Sequence, residues 1–140
     1  MKEHHSTTQG QTRKIFLLFS HSFSTHQTAW AESNFGPCRP VEMPGSLKKI
    51  WQQIPADKKE LFSCLDPFRK WLKEQGNDQD LVLVQGDFGA TYLMINYAFK
   101  INLVPIYATT IRKARETLLP DGTVILEHEF RFCRFRKYGE

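Results

Sequence analysis

Two short runs in this chain are apolar on both faces: Ile15-Phe16-Leu17-Leu18-Phe19 and Leu81-Val82-Leu83-Val84. A strand with one solvated face alternates apolar and polar residues. A strand without alternation needs packed layers above and below it. That environment is the interior of a mainly parallel sheet covered by helices, so the chain is read as α/β. The first run, opened by Arg13-Lys14, breaks at Ser20-His21-Ser22; the second, opened by Asp80, breaks at Gln85-Gly86-Asp87.

Elsewhere the periodicity is mostly helical. Ser24 with Gln27 three residues on is a capping-box start, and Gly36-Pro37 stops that helix. Val41-Glu42-Met43 predicts a brief second strand. From Ser46 to Gln75 helical faces are expected, first with Leu47, Ile50, Trp51 and Ile54, then with Leu61, Leu65, Phe68, Trp71 and Leu72. Pro55 and Pro67 divide this stretch, and Gly76-Asn77 ends it. Gly86-Asp87-Phe88-Gly89-Ala90-Thr91 turns at once into another helix. Leu103 to Ala108 is a further strand, expected to end at Thr109-Thr110. Leu119-Pro120-Asp121-Gly122 is a tight turn. Beyond it Val124, Leu126, His128, Phe130 and Phe132 alternate with Ile125, Glu127, Glu129 and Arg131, which predicts a C-terminal antiparallel hairpin. The whole reads as one three-layer, Rossmann-like domain over residues 13–140, behind a flexible N-terminal tail over residues 1–12.

With 140 residues the chain has room for one domain. Its hydrophobic and charged fractions, 41% and 24%, are those of a soluble globular protein. No run approaches the roughly 18 apolar residues of a membrane span. The opening residues carry charges with no apolar stretch behind them, so no signal peptide is expected. Cys38, Cys64 and Cys133 are an odd number without CxxC spacing, which argues against a disulfide framework or a zinc site and suits a reducing cytoplasm. A net charge of +4 permits an anionic partner but makes no dense basic stripe.

In open α/β sheets, ligands sit beyond the carboxyl ends of the strands. Three strands are expected to end in polar residues at that edge: Ser20-His21-Ser22, Gln85-Gly86-Asp87, and Thr109-Thr110 followed by Arg112. The Gly86–Ala90 turn offers a close backbone approach and the free N–H groups of a helix start, which suit a phosphate. A plain strand-to-helix turn has the same sequence. GxGxxG and GxxxxGK[ST] are absent, which leaves dinucleotide and nucleoside-triphosphate binding unsupported.

Asp87 fits a helix cap for the N–H near Ala90; in chemistry it would orient or deprotonate a hydroxyl, because its charge repels phosphate. His21 is open between general acid or base, phosphate donor and structural histidine. Arg112 suits either a phosphate fork or simple solvation. His128, between Leu126 and Phe130 on an apolar face, is read as structural. Arg131, Arg134, Arg136 and Lys137 interleave with Phe132 and Phe135, either as a basic aromatic patch or as edge-strand charge that resists aggregation. Trp51 and Trp71 belong to the core or an interface. No HxH, HExxH or carboxylate cluster occurs, so neither a metal site nor a cofactor is expected.

Taken together, Ile15-Phe16-Leu17-Leu18-Phe19-Ser20-His21, Leu83 to Thr91, Pro105 to Thr110 and the closing Phe135-Arg136-Lys137-Tyr138 resemble the small CRISPR-associated Csx proteins of type III systems, in particular the Csx family numbered twenty. The similarity runs from about Arg13 to Tyr138, and VQGDFGAT and IYATT are its most specific parts. It implies a CARF-like fold and a cytoplasmic homodimer with no other stable protein partner. It also implies ring-nuclease activity on cyclic tetra-adenylate, the messenger those systems make on detecting foreign RNA. By this resemblance the cut needs no metal: a ribose 2′-hydroxyl attacks its neighbouring phosphate and leaves 2′,3′-cyclic phosphate ends.

The catalytic candidates are then His21, Asp87 and Arg112. Ser20, Ser22, Gln85, Gly86, Phe88, Gly89, Ala90, Thr91, Thr109 and Thr110 are candidates for contacting the ring. Two departures stand out: Ser20 replaces an expected Asn, and the N-terminal tail is longer than usual. Three rival readings stay open: a messenger-binding sponge that does not cut, an accessory that binds linear nucleic acid, and a purely structural dimer.

Overall fold

The computed structural model describes residues 11–140, so most of the expected N-terminal tail lies outside the described residues. Strands β1 (Arg13–Leu18), β2 (Cys38–Glu42), β3 (Leu81–Val84), β4 (Val104–Leu118) and β5 (Val124–Lys137) form one sheet. Its order is β2-β1-β3-β4-β5. The first four strands are parallel, and β5 returns antiparallel to β4.

The non-alternating runs form the central strands because both their faces are buried. Ile15, Leu17, Leu81 and Leu83 pack with Ala31 of helix α1 (Thr25–Phe35) on one side. Phe16, Leu18, Val82 and Val84 pack on the other, against α2 (Gly45–Gln52), α3 (Asp66–Gln75) and α4 (Phe88–Lys100). Three layers result. The start of β3 is clamped to β1 by Asp80, only 4% exposed, whose carboxylate accepts from the backbone N–H groups of Lys14 (3.0 Å) and Asn77 (2.9 Å). At its other end, the Tyr138 hydroxyl donates to the Val84 carbonyl at 2.6 Å. Burial pushes that hydroxyl's pKa above its ordinary value, and neighbouring Tyr107 adds to the shift.

Four expectations are corrected. The stretch from Ser46 to Gln75 is not helical throughout: α2 stops at Gln52, and the chain makes no helix again until a short 3-10 turn at Ser63–Leu65. Pro55 lies in that gap, whereas Pro67 divides nothing. It sits in the first turn of α3, where a missing N–H leaves no bond unmade. Strand β2 starts at Cys38 and takes in Pro40, which an edge strand tolerates.

The third correction matters most for function. The strand expected to stop at Thr109-Thr110 runs on to Leu118, because β5 pairs with it from Ile106–Lys137 to Leu118–Val124. A register shift at Thr109/Thr110 absorbs the one unmatched residue, Cys133. Since β3 ends at Val84, β4 and β5 continue past the sheet as a two-stranded arm. The fourth follows from this: His128 stands exposed on the arm instead of inside a core.

Candidate functional site

Helix α1 leaves β1 toward one face of the sheet, and α4 leaves β3 toward the other. Neighbouring strands whose chains depart to opposite faces open a crevice at their carboxyl ends. Here the Gln85 N–H still donates to the Leu18 carbonyl (3.0 Å), so the crevice begins one residue further on. Gln85 braces it. Its side-chain Oε1 accepts from the Ala108 N–H at 2.9 Å, and its carbonyl accepts from the Trp51 indole N–H at 3.0 Å. Gly86 lies against the same indole: a Cβ there would sit 2.9 Å from Trp51 Nε1 and 3.1 Å from Cε2. Only glycine lets the chain pass this closely.

Asp87 is the N-cap of α4, with Oδ2 accepting from the Ala90 N–H at 3.0 Å. The cap deals with one of the orphan donors that every helix start carries. The N–H groups of Phe88 and Gly89 have no partner among the described residues. Beside them the Phe88 ring is 95% exposed, an unusual position for an aromatic side chain. The Thr91 hydroxyl, by contrast, is shielded from solvent and lacks a partner, so it is closed to a ligand in this conformation.

Ser20, His21 and Ser22 follow β1 and are exposed. His21 packs edge-on to Phe19 and lines a cleft with Glu42, Met43 and Lys48. It thus meets the β2 side of β1, while Gln85 and Asp87 follow β3 on the other side. Glu42 and Lys48 were not among the candidates. In the sequence, Lys48 is an ordinary polar position of an amphipathic helix, and only the placement of α2 at the end of β2 brings it to this edge. Thr109 and Thr110 sit at the root of the arm, and the Thr109 hydroxyl donates to the Arg134 carbonyl at 3.1 Å. Arg112 is further out, its guanidinium 6.0 Å from the Phe130 ring. The structure therefore sets His21 toward β2, keeps Gln85 to Thr91 at the end of β3, and leaves Arg112 on the arm.

This edge is a shelf, not a pocket. The cleft at His21 holds about 10 Å³, whereas larger hollows lie elsewhere. One of about 310 Å³ opens between Trp30 of α1 and Arg134 to Lys137 of β5, and one of about 520 Å³ lies beside Phe62, Leu93 and Tyr97. Small ligands are usually enclosed over most of their surface, and this edge by itself encloses little. Among the described residues no three His, Cys, Asp or Glu side chains cluster as a metal site would require. No helix among them is long and apolar enough to cross a membrane.

Residues 13–136 match the model of a family described as "Uncharacterized protein MJ1673 family". The chain belongs to the MJ1673 family. A relative from Methanocaldococcus jannaschii, itself named "Uncharacterized protein MJ1673", is 42% identical over 126 residues, covering 90% of this chain and 97% of the relative. No solved structure matches. In this MJ1673-family chain the matched span takes in both the shelf and the arm, from Ser20 to Arg112 and on to Arg136 of β5. The family name states no chemistry.

Proposed function

We propose that this protein is a CARF-like ring nuclease, a cytoplasmic homodimer that binds cyclic tetra-adenylate on the β1/β3 shelf and cuts it to end type III CRISPR signalling. The observation that carries the reading is the start of α4. There, unpaired backbone N–H groups stand at the positive end of a helix beside a bare Phe88 ring. Such a place offers a phosphate its donors and an adenine its stacking surface within one residue of each other. The resemblance of VQGDFGAT and IYATT to the Csx family supports the same ligand. The lack of a roof over the shelf supports two copies, since a ring with rotational symmetry suits a two-fold axis.

In the cut, the ribose 2′-oxygen forms a bond to its neighbouring phosphorus and the bond from phosphorus to the 5′-oxygen breaks. The proton leaves the 2′-hydroxyl and one is delivered to the 5′-oxygen, giving a 2′,3′-cyclic phosphate end and a free 5′-hydroxyl. His21 and Asp87 are assigned to these proton movements, with Phe88 and Gly89 N–H groups on phosphate oxygens. Holding the attacking hydroxyl in line is a large part of the rate. Thr109 and Thr110, at the arm's root, border the site from β4, whereas Arg112 lies further out on the arm.

A second reading keeps the ring intact. One Asp87 oxygen is already engaged by the Ala90 N–H, and His21 faces a cleft on the far side of β1. Both facts favour a sponge that holds the messenger without alignment for attack. Binding is tested apart from cutting by Phe88→Ala. Calorimetric titration with cyclic tetra-adenylate is expected to show affinity lowered by about 1–3 kcal/mol, roughly five- to 150-fold. Thermal stability should not change, because the ring makes so little contact with the fold. Unaltered affinity would remove Phe88 from the site.

A further inference from the structure

The β4–β5 arm has two unlike faces. Cross-strand partners share a face. One face pairs Ile111 with Arg131, Lys113 with Glu129, Arg115 with Glu127 and Thr117 with Ile125, so opposite charges meet along its middle while Ile111 and Ile125, 49 and 39% exposed, flank them. The other pairs Arg112 with Phe130, Ala114 with His128, Glu116 with Leu126 and Leu118 with Val124. On it Leu118, Phe130, Leu126 and Val124 are 73, 65, 57 and 56% exposed. It prolongs the surface that Phe132 and Phe135 bury against α1. A two-stranded ribbon alone is marginal in water, and an exposed face that sets four large apolar side chains among Arg112, Glu116 and His128 marks a contact surface.

We infer that a second copy of this chain covers it, its arm laid antiparallel, face to face, about a two-fold axis at the level of Ala114 and His128. The sequence is self-complementary about that level. Arg112 and Glu116 stand two residues either side of Ala114, and Phe130 and Leu126 two residues either side of His128. The axis sets Arg112 against the partner's Glu116 and Phe130 against the partner's Leu126, each twice. Centring it on Arg112 or Glu116 instead would oppose like charges. Nine residues from Thr110 to Leu118, at about 3.3 Å each, give a face about 30 Å long. Two strands are about 10 Å wide, so this face offers roughly 300 Å² per copy, below the size of a standard stable interface, and assembly is expected only toward the upper end of a micromolar range. The inference goes beyond the two-copy reading above, since it names a surface that joins two chains well away from the shelves, about seven residues along the arm.

Sedimentation of the full chain, from about 1 to 100 μM, tests this without any adenylate. At the upper end of that range the wild type should sediment at twice its 16.4 kDa chain mass. Leu126→Glu and Glu116→Arg should each raise the dissociation constant about tenfold or more. The double exchange Arg112→Glu with Glu116→Arg, which restores opposite charges across the axis, should recover it to within about threefold. Circular dichroism shows that each variant is folded. A monomeric wild type, a dimer indifferent to both single changes, or a double exchange as weak as Glu116→Arg would each overturn the proposal. A monomer that binds cyclic tetra-adenylate would overturn the arm alone, and a dimer without affinity would overturn the ring reading alone.

Discussion

Phe135→Ala is expected to lower folding stability by about 3–5 kcal/mol, the largest effect foreseen for any single side chain here. Phe135 is 1% exposed although it lies on the edge strand. Its ring stacks on Phe23 at 5.9 Å and meets Trp30 at 5.7 Å and Phe132 at 4.8 Å. These contacts fasten α1 to β5, and β5 has no other neighbouring strand than β4. Truncation would leave a void under α1 and loosen the base of the arm. Urea unfolding at fixed protein concentration, followed by far-UV circular dichroism, measures the loss; keeping concentration fixed removes the contribution of assembly. A loss below about 1 kcal/mol would show that the aromatic cluster is not what binds α1 to the sheet.

The second large effect is chemical. General acid–base catalysis contributes about 10²- to 10⁴-fold, so His21→Ala is expected to slow single-turnover ring opening by about 10²-fold or more. Ring affinity should fall much less. Asp87→Asn keeps a capping oxygen for the Ala90 N–H, since Asn caps as well as Asp, so the fold survives while the carboxylate is lost. Its rate should fall in the same manner. Separating turnover from affinity is what decides the roles. Equal losses in both would make His21 and Asp87 binding residues and favour the sponge.

What the sequence revealed follows physical lines. The runs at Ile15 and Leu81 were legible because burial on both faces suppresses alternation, and they locate β1 and β3. The Ser24–Gln27 box was legible because it is local: Gln27 N–H donates to Ser24 Oγ at 3.1 Å, and Ser24 N–H to Gln27 Oε1 at 2.8 Å. Asp87 as a cap belongs to the same class. The continuation of β4 was not legible. Thr109 to Leu118 mixes charges on both faces, and only its distant partner β5 makes it a strand. Neighbours such as Lys48 and Glu42 beside His21 depend on how whole helices dock, which no local pattern records. Nor does spacing reveal that the Thr91 hydroxyl is shielded while Phe88, three residues before it, is bare.

The central claim is tested most directly by incubating the purified protein with cyclic tetra-adenylate in excess EDTA and resolving the products by chromatography and mass spectrometry. Shorter linear adenylates ending in 2′,3′-cyclic phosphate are the predicted result. An intact ring that co-elutes with the protein would contradict cutting and leave the messenger sponge, and an intact ring that does not bind would contradict the account as a whole.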